Sequence, residues 1–339
     1  MLYRFGKRGV LAKIAVKSSP ASAGQVHDYG AGALCSRVIA EGGSWRVRDV
    51  ICRAGPRDRA FEEQHSKPSI AIVVAGTFQY RSHAGRELMT PGSLLLGNAG
   101  QCFECGHEHG IGDRCLAFEY EPEYFESVIA ETGARTRAPR FSSLRVPPVR
   151  DLSGVIARAL VMAAAGEVSD QHSRLLGDKE GEDVSSGTVL WEEIALELVG
   201  RSVALAGAAS PSRNNPPAAE ARVTRVLRML ERYPDMPHTL ASLAREARLS
   251  RYHFLRMFCQ LAGLTPHQYI IRSRLRRAAV RLIAEPSQVL NIALESGFGD
   301  VSNFNHAFRA EFGVSPSSYR KLGARVLAPT EQVDARPVC

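Results

Sequence analysis

The chain has 339 residues, of which 45% are hydrophobic and 23% charged, with a formal net charge of +8. This length suggests two domains, and the composition is that of an ordinary globular protein. No run of about 18 apolar residues occurs, which excludes a membrane-spanning helix. Seven cysteines, an odd number in a long chain, favour a reducing compartment, so a cytoplasmic location is expected.

Residues 1–30 are basic and polar. Lys13 and Lys17 interrupt their apolar stretch, which makes a poor secretory signal, and a disordered leader is expected. From 31 to 145 the pattern is strand-like. Ile70–Val74 is a buried run closed by Gly76, and Thr77–Tyr80 follows. Pro91-Gly92 introduces Ser93–Leu96, and Cys115–Tyr120 is one more strand. Short strands joined by Gly and Pro turns predict a small antiparallel barrel or sandwich.

Cys102, Cys105, His107, His109 and Cys115 crowd into one short polar stretch. Cys102 and Cys105 followed by His107 and His109 are compatible with tetrahedral zinc or another thiolate-preferring metal. His65 joins them if the strand topology brings the two segments together. Three readings stand side by side: a metal or thiol site, a barrel for an organic effector, and a structural loop.

After Pro147-Pro148 the period changes to helical. Leu152, Val155, Ile156, Ala159 and Leu160 form one stripe, and Val189, Leu190, Ile194, Ala195, Leu198 and Val199 another. The polar stretch 167–187 between them reads as a loop. This hairpin, 146–208, either dimerises or packs on the barrel. Residues 209–219, rich in Pro, Ser and Asn, read as a linker, and 324–339 as a tail.

Residues 220–323 carry two helix-turn-helix patterns. In the first, Leu240, Leu243, Ala244 and Ala247 form a buried stripe and Ser250 caps a second helix. That helix buries Phe254, Met257, Phe258 and Leu261, and leaves Arg251, Tyr252, Leu255 and Arg256 outside. In the second, Ile292 and Ala293 anchor the first helix, Gly297 occupies a turn that needs positive φ, and Asp300 caps the next helix. Val301, Phe304, Phe308 and Phe312 face inward, and Ser302, Asn305, His306 and Arg309 face outward. Arg pairs with guanine and Asn with adenine in the major groove, so these eight outward residues are the candidate DNA contacts.

A helix from Pro266 to about Pro286 separates the units. About 20 residues span ~30 Å, close to the ~34 Å between successive major grooves on one side of B-DNA. Its arginines, Arg272, Arg274, Arg276, Arg277 and Arg281, are expected on a solvated face with some phosphate contact. Residues 220–323 hold 16 Lys and Arg against 8 Asp and Glu, so this segment carries the entire net charge. A basic surplus confined to one domain is the footprint of nucleic-acid binding.

Leu240, Leu243-Ala244, Ser250, Phe254, Arg256 to Phe258, Gly263 and Thr265-Pro266 resemble the C-terminal domain of the AraC/XylS family of transcription regulators. So do Ile292-Ala293, Gly297-Phe298, Phe304, Phe308 and Phe312 through Arg320. The resemblance implies seven helices, an N-terminal sensing or dimerisation domain, and two recognition helices in consecutive major grooves. The order of His65, Gly76, Pro91-Gly92 and the polar cluster is similar to a cupin. The fold expected is thus α+β in two domains: a cupin-like antiparallel β-barrel with a helical dimerisation segment, then an all-α tandem helix-turn-helix domain. The expected partners are operator DNA, a second copy of the chain, a small-molecule or metal effector, and RNA polymerase, with no membrane partner. No catalytic residue is singled out and no enzyme is expected. The alternative is a cupin-type metal enzyme, or a thiol-based repair or redox sensor, fused to a DNA-binding module.

Overall fold

The computed structural model describes residues 34–58, 60–107, 112–132, 140–176, 184–206 and 217–327. The expected leader, most of the 209–219 linker and the tail beyond Leu327 lie outside them.

Ten strands build two antiparallel sheets among the described residues. They are β1 Leu34–Glu41, β2 Trp45–Cys52, β3 Phe61–Gln64, β4 Ser69–Gly76, β5 Phe78–Ser82, β6 Gly85–Met89, β7 Leu94–Gly97, β8 Cys102–Gly106, β9 Asp113–Tyr120 and β10 Arg145–Val146. The larger sheet runs β1-β2-β9-β4-β7-β10 and the smaller β3-β8-β5-β6. Successive side chains of a strand point to opposite faces, and the central strand β4 uses both. Ala71 and Val73 join Phe78, Tyr80 and Met89 of the smaller sheet in a core between the sheets. Ile70 and Ile72 face the other way, into a core with Leu94, Leu96, Leu116 and Phe118. Burial on both faces is why Ile70–Val74 reads as a continuous apolar run rather than an alternation.

Three helices cover that outer face: α1 Pro122–Glu131, α2 Ser153–Leu176 and α3 Val184–Ala206. Phe125, Ile129, Val155, Ile156, Trp191, Ile194 and Leu198 are buried against the sheet. The inward stripes of α2 and α3 thus join the core on the sheet, as one of the two sequence readings has it, except for Val189, which departs from the expected stripe and is exposed on the outer side of α3. Both helices run further than the apolar stripes indicate, to Leu176 and from Val184, so much of the stretch expected as a loop, 167–187, is helical.

Seven helices follow among the described residues: α4 Pro217–Arg232, α5 Leu240–Glu246, α6 Arg251–Ala262, α7 Pro266–Ala284, α8 Val289–Glu295, α9 Val301–Phe312 and α10 Pro316–Leu327. They form two cores. Val223, Leu227, Leu243, Phe254 and Phe258 make the first, with Tyr269 and Ile270 from the start of α7. Leu275, Ala279, Leu282, Ile292, Phe304 and Phe308 make the second. Leu240 departs from its expected buried stripe and is 38% exposed, because it opens α5 beyond the packed turn.

The sheet domain docks on both cores. Leu88 of β6 enters the first and Ala157 of α2 the second. Arg145, buried, donates to the carbonyls of Leu88 and Leu261, 2.6 Å each, and so ties the two domains at the backbone. Glu220 of α4 accepts from Gln79 and from Arg86 of the smaller sheet. Arg228 of α4 donates to Thr77 Oγ1 at 2.7 Å.

Candidate functional site

The two recognition helices are set by local chemistry. Ser250 accepts from the His253 N–H at 3.3 Å, and Asp300 from the Asn303 N–H at 2.7 Å. Each side-chain oxygen thereby satisfies a backbone donor that the helix end leaves free. Each helix stops at a left-handed glycine, Gly263 and Gly313, the residue that adopts this conformation without steric conflict. On α6, Arg251, Tyr252 and Arg256 are exposed, Tyr252 at 77%, and Leu255 is half-buried. On α9, Ser302, Asn305, His306 and Arg309 are all exposed. The docked sheet domain leaves both faces open. Arg251, Arg256 and Arg309 make no ion pair among the described residues, so their guanidinium forks are available to carboxylate, phosphate or base edges.

The spacer α7 has 19 residues. At the rise of an α-helix it spans roughly 28 Å. Its arginines correct the sequence expectation. Arg276 is buried, donating to the Pro91 carbonyl at 3.2 Å and lying 3.6 Å from Glu231. Arg274 donates to the carbonyls of Pro234, Gly297 and Met236. Arg272 reaches Glu311 and the Pro148 carbonyl, Arg277 the Glu231 carbonyl, and Arg281 pairs with Glu285 and Glu295. These five side chains are internal struts. α7 packs against helices of both units and against α2, so it has no broad solvated face. The planar guanidinium satisfies loop carbonyls that no N–H reaches. The basic surplus available to an external anion is therefore smaller than the charge count suggests.

In the sheet domain the five metal candidates chosen from the sequence do not converge. Cys102 and Cys105 are three apart on β8, so their side chains leave opposite faces of the strand. Cys102 is exposed, while Cys105 packs against the core between the sheets. His65 does lie beside β8, stacked on Phe103 at a centroid distance of 4.2 Å, but both ring nitrogens are taken. Nε2 pairs with Tyr80 Oη at 2.7 Å and Nδ1 with Ser69 Oγ at 3.0 Å. Burial pulls its pKa down to about 4, so it is neutral at pH 7. His109 lies outside the described residues.

His107 instead meets two residues that sequence reasoning passed over, Cys52 and Asp113. Cys52 ends β2, Asp113 begins β9, and the antiparallel register sets them directly opposite. His107 follows the last residue of β8, in the other sheet. Its Nε2 lies 2.5 Å from Asp113 Oδ2. Burial alone lowers its pKa, but hydrogen bonding to Asp113 and Cys52 and the charge of Asp113 outweigh that and hold it up at about 9. Cys115 Sγ lies 3.6 Å from Asp113 Oδ1. Burial, reinforced by Asp113, pushes the thiols of Cys105 and Cys115 well up. Both are protonated at pH 7, the reverse of a reactive nucleophile. The one hint in the sequence is that Asp113 and Cys115 close the same polar stretch that contains His107.

A two-sheet domain backed by helices, docked on a tandem helix-turn-helix domain with two uncovered recognition faces, is the architecture of a two-domain DNA-binding regulator. Comparisons with known proteins agree with both parts. Residues 50–180 match the model of the AraC-like ligand binding domain, and residues 243–322 that of a helix-turn-helix domain. Together these two matches support a regulator of the AraC/XylS family. It is 34% identical over 92 residues to the HTH-type transcriptional regulator MtrA of Neisseria gonorrhoeae, covering 27% of this chain and 31% of that protein. It is 35% identical over 108 residues to the RCS-specific HTH-type transcriptional activator RclR of Escherichia coli strain K12, covering 32% and 38%. The matched segment is thus about a third of the relatives' length. Among solved structures it is similar to the DNA-binding domain of AdpA, a global transcriptional factor, in complex with a target DNA. That match has 28% identity and a TM-score of 0.29, over 30% of this chain and 91% of the other. No helix among the described residues is long and apolar enough to cross a membrane.

Proposed function

We propose that this protein is a sequence-specific, double-stranded-DNA-binding transcription regulator, with α6 and α9 in consecutive major grooves of one operator. The observation that carries this reading is the pair of uncovered polar faces at the two ends of one stiff helix, α7. Arg251, Tyr252, Leu255 and Arg256 contact one groove, and Ser302, Asn305, His306 and Arg309 the next. Arg256 and Asn305, each on the outer face of its helix, are the residues assigned to base edges. The sheet domain, built as a cupin-like barrel, receives the effector. Its extensive docking on α4 and α7 supports control through the interface between the domains, which requires an effector that binds the docked and undocked states unequally.

Homodimerisation is assigned to the outer face of α3. Val189 is 52% exposed and Leu196 is 38% exposed. Two full helical turns separate them, so they lie on one side of the helix. RNA polymerase is the further partner that a regulator bound at an operator would meet. The function is that of a binding protein in a cytoplasmic setting rather than of an enzyme.

Selection of bound duplexes from a random pool by the full chain tests the central claim. The expected product is a site with two recurring blocks about one helical turn apart. A pool that enriches no sequence, with affinity that depends only on salt, overturns it.

A further inference from the structure

Cys52, His107 and Asp113 are the one group of three potential metal-ligating side chains found together among the described residues, their ligand atoms all within 4.8 Å of one another. Three strand ends supply them, from both sheets, at one rim of the sandwich. Cys52 and His107 are buried, and Asp113 is shielded from solvent at its carboxylate, 8% exposed. The Cys115 thiol approaches the second oxygen of the same carboxylate. The converging donor set is therefore one sulfur, one imidazole nitrogen and one carboxylate oxygen, a mixture that a tetrahedral zinc-class cation accepts.

We propose that these residues hold one thiolate-accepting divalent cation, with Cys52, His107 and Asp113 as its three protein ligands and the fourth tetrahedral position open to solvent or a small ligand, and that this cation is an effector of the sheet domain. The proposal rests on the regulatory reading above and gives its effector a chemical class. Metal–nitrogen and metal–oxygen bonds of ~2.0 Å at a tetrahedral angle place the two donors about 3.3 Å apart. The His107–Asp113 pair is now 2.5 Å apart. It must open by under about 1 Å as the cation replaces the shared proton and Cys52 closes in. Binding releases the Cys52 thiol proton and the proton shared by His107 and Asp113 to solvent.

The site is wired to the interface between the domains. Asp113 is in register with Gly76 of β4. At Gly76, φ +80°, a Cβ would lie 2.6 Å from Asp113 Cα, so strand end and ligand cannot move independently. The next residue, Thr77, accepts from Arg228 of α4, and Phe78 lies against the His107 ring at 6.0 Å between centroids. A cation that shifts Asp113 and His107 thus pushes on the strap that grips the first helix of the DNA-binding domain.

The full chain, stripped with a chelator and titrated with Co2+, provides the test. The expected result is one Co2+ per chain, with thiolate-to-metal and tetrahedral absorption bands that Zn2+ abolishes. Cys52→Ser and His107→Gln should each lower Co2+ affinity at least about 100-fold, the upper end of what losing a mere supporting residue costs. Cys102→Ser should leave it unchanged. Near-ultraviolet circular dichroism checks each variant's fold, and Asp113→Asn serves in place of any that does not fold. An absent band, or one that survives Cys52→Ser and disappears in Cys102→Ser, overturns the site. Affinity for the selected operator, measured with and without Zn2+, should differ by about 5–150-fold. A difference under about twofold, on the scale of that coupling, overturns the effector role. Failure to bind any operator in either state would count against the DNA reading alone, since the Co2+ titration reads the metal site separately.

Discussion

At the left-handed position of the first helix-turn-helix, between α5 and α6, stands Arg248 with φ +50°. At the same position of the second, between α8 and α9, stands Gly297 with φ +91°. The hydrogen bonds are otherwise parallel. Leu249 N–H reaches the Ala244 carbonyl at 3.0 Å, and Phe298 N–H the Ala293 carbonyl at 3.1 Å. Both recognition helices have 12 residues, a side-chain cap at the start and a glycine at the end. The difference lies in what surrounds each turn. A Cβ at Gly297 would sit 2.7 Å from Asp235 Cα and 2.9 Å from the Arg274 guanidinium, whereas Arg248 is exposed. One turn is clamped under a strut from the spacer, and the other faces solvent. The same left-handed turn is thus reached by two routes: a residue with no side chain where space is absent, and a strained ordinary residue where space is plentiful. The outward faces diverge as well, towards two arginines and a tyrosine in the first unit and towards Ser, Asn, His and one Arg in the second.

The largest expected effect tests whether the two units are one folding body. Phe254 and Phe304 are fully buried, one in each core. Truncating either to alanine should cost about 3–5 kcal/mol. Because α7 feeds Tyr269 to the first core and Leu275 to the second, both variants should melt the whole helical domain in one transition. Amide exchange that collapses only in the unit carrying the substitution would split the pair into two independent bodies.

Next in size are the outward faces. Arg256→Ala should weaken binding to the selected operator by about 5–150-fold and relax base preference in one block. Asn305→Ala should do the same in the other block, nearer the lower limit because its donor and acceptor are uncharged. Equal losses on operator and on scrambled DNA would assign both residues to the phosphate backbone instead.

How far the sequence reaches follows the same division between local and non-local physics. The caps Ser250 and Asp300, the turn at Gly297 and the buried stripes of α6 and α9 are all legible, because each depends on neighbours within a turn or two of helix. The fates of Arg272, Arg274, Arg276, Arg277 and Arg281 are not. Nothing in their spacing says that loop carbonyls at Pro91, Pro234 and Gly297 will come to them. Cys52 and Asp113 illustrate the same limit in the sheets. They are far apart in the chain, and only the β2–β9 register makes them neighbours. His65, by contrast, is placed correctly beside β8, but its two hydrogen bonds come from Tyr80 and Ser69, which no motif marks.

Gly297→Ala should destabilise the helical domain by about 1–2 kcal/mol from the left-handed conformation alone, with the close approach of Asp235 adding to it. Asp300→Ala removes a cap in the same unit and should cost about 1 kcal/mol, and Ser250→Ala should cost the same in the other. Urea titrations of the three variants give the ranking. Gly297→Ala less damaging than Asp300→Ala would mean that the Arg274 strut yields, and that the contrast between clamped and open turns is not real.

The smallest effect has the opposite sign. Arg248→Gly relieves a left-handed residue of its Cβ conflict, a gain of about 1 kcal/mol. Against this, glycine gives the unfolded chain more freedom, which costs about 0.4–1 kcal/mol. The balance is a net change from zero to a few tenths of a kcal/mol in favour of folding, on the scale of those two terms. The Arg248 carbonyl accepts from Arg222, but that bond uses the backbone and survives the substitution. A loss greater than about 1 kcal/mol, beyond the full entropic cost of glycine, would show that the Arg248 side chain itself holds the first turn. The two units would then both depend on an arginine at this corner, Arg274 reaching in from the spacer in one and Arg248 acting from within the turn in the other.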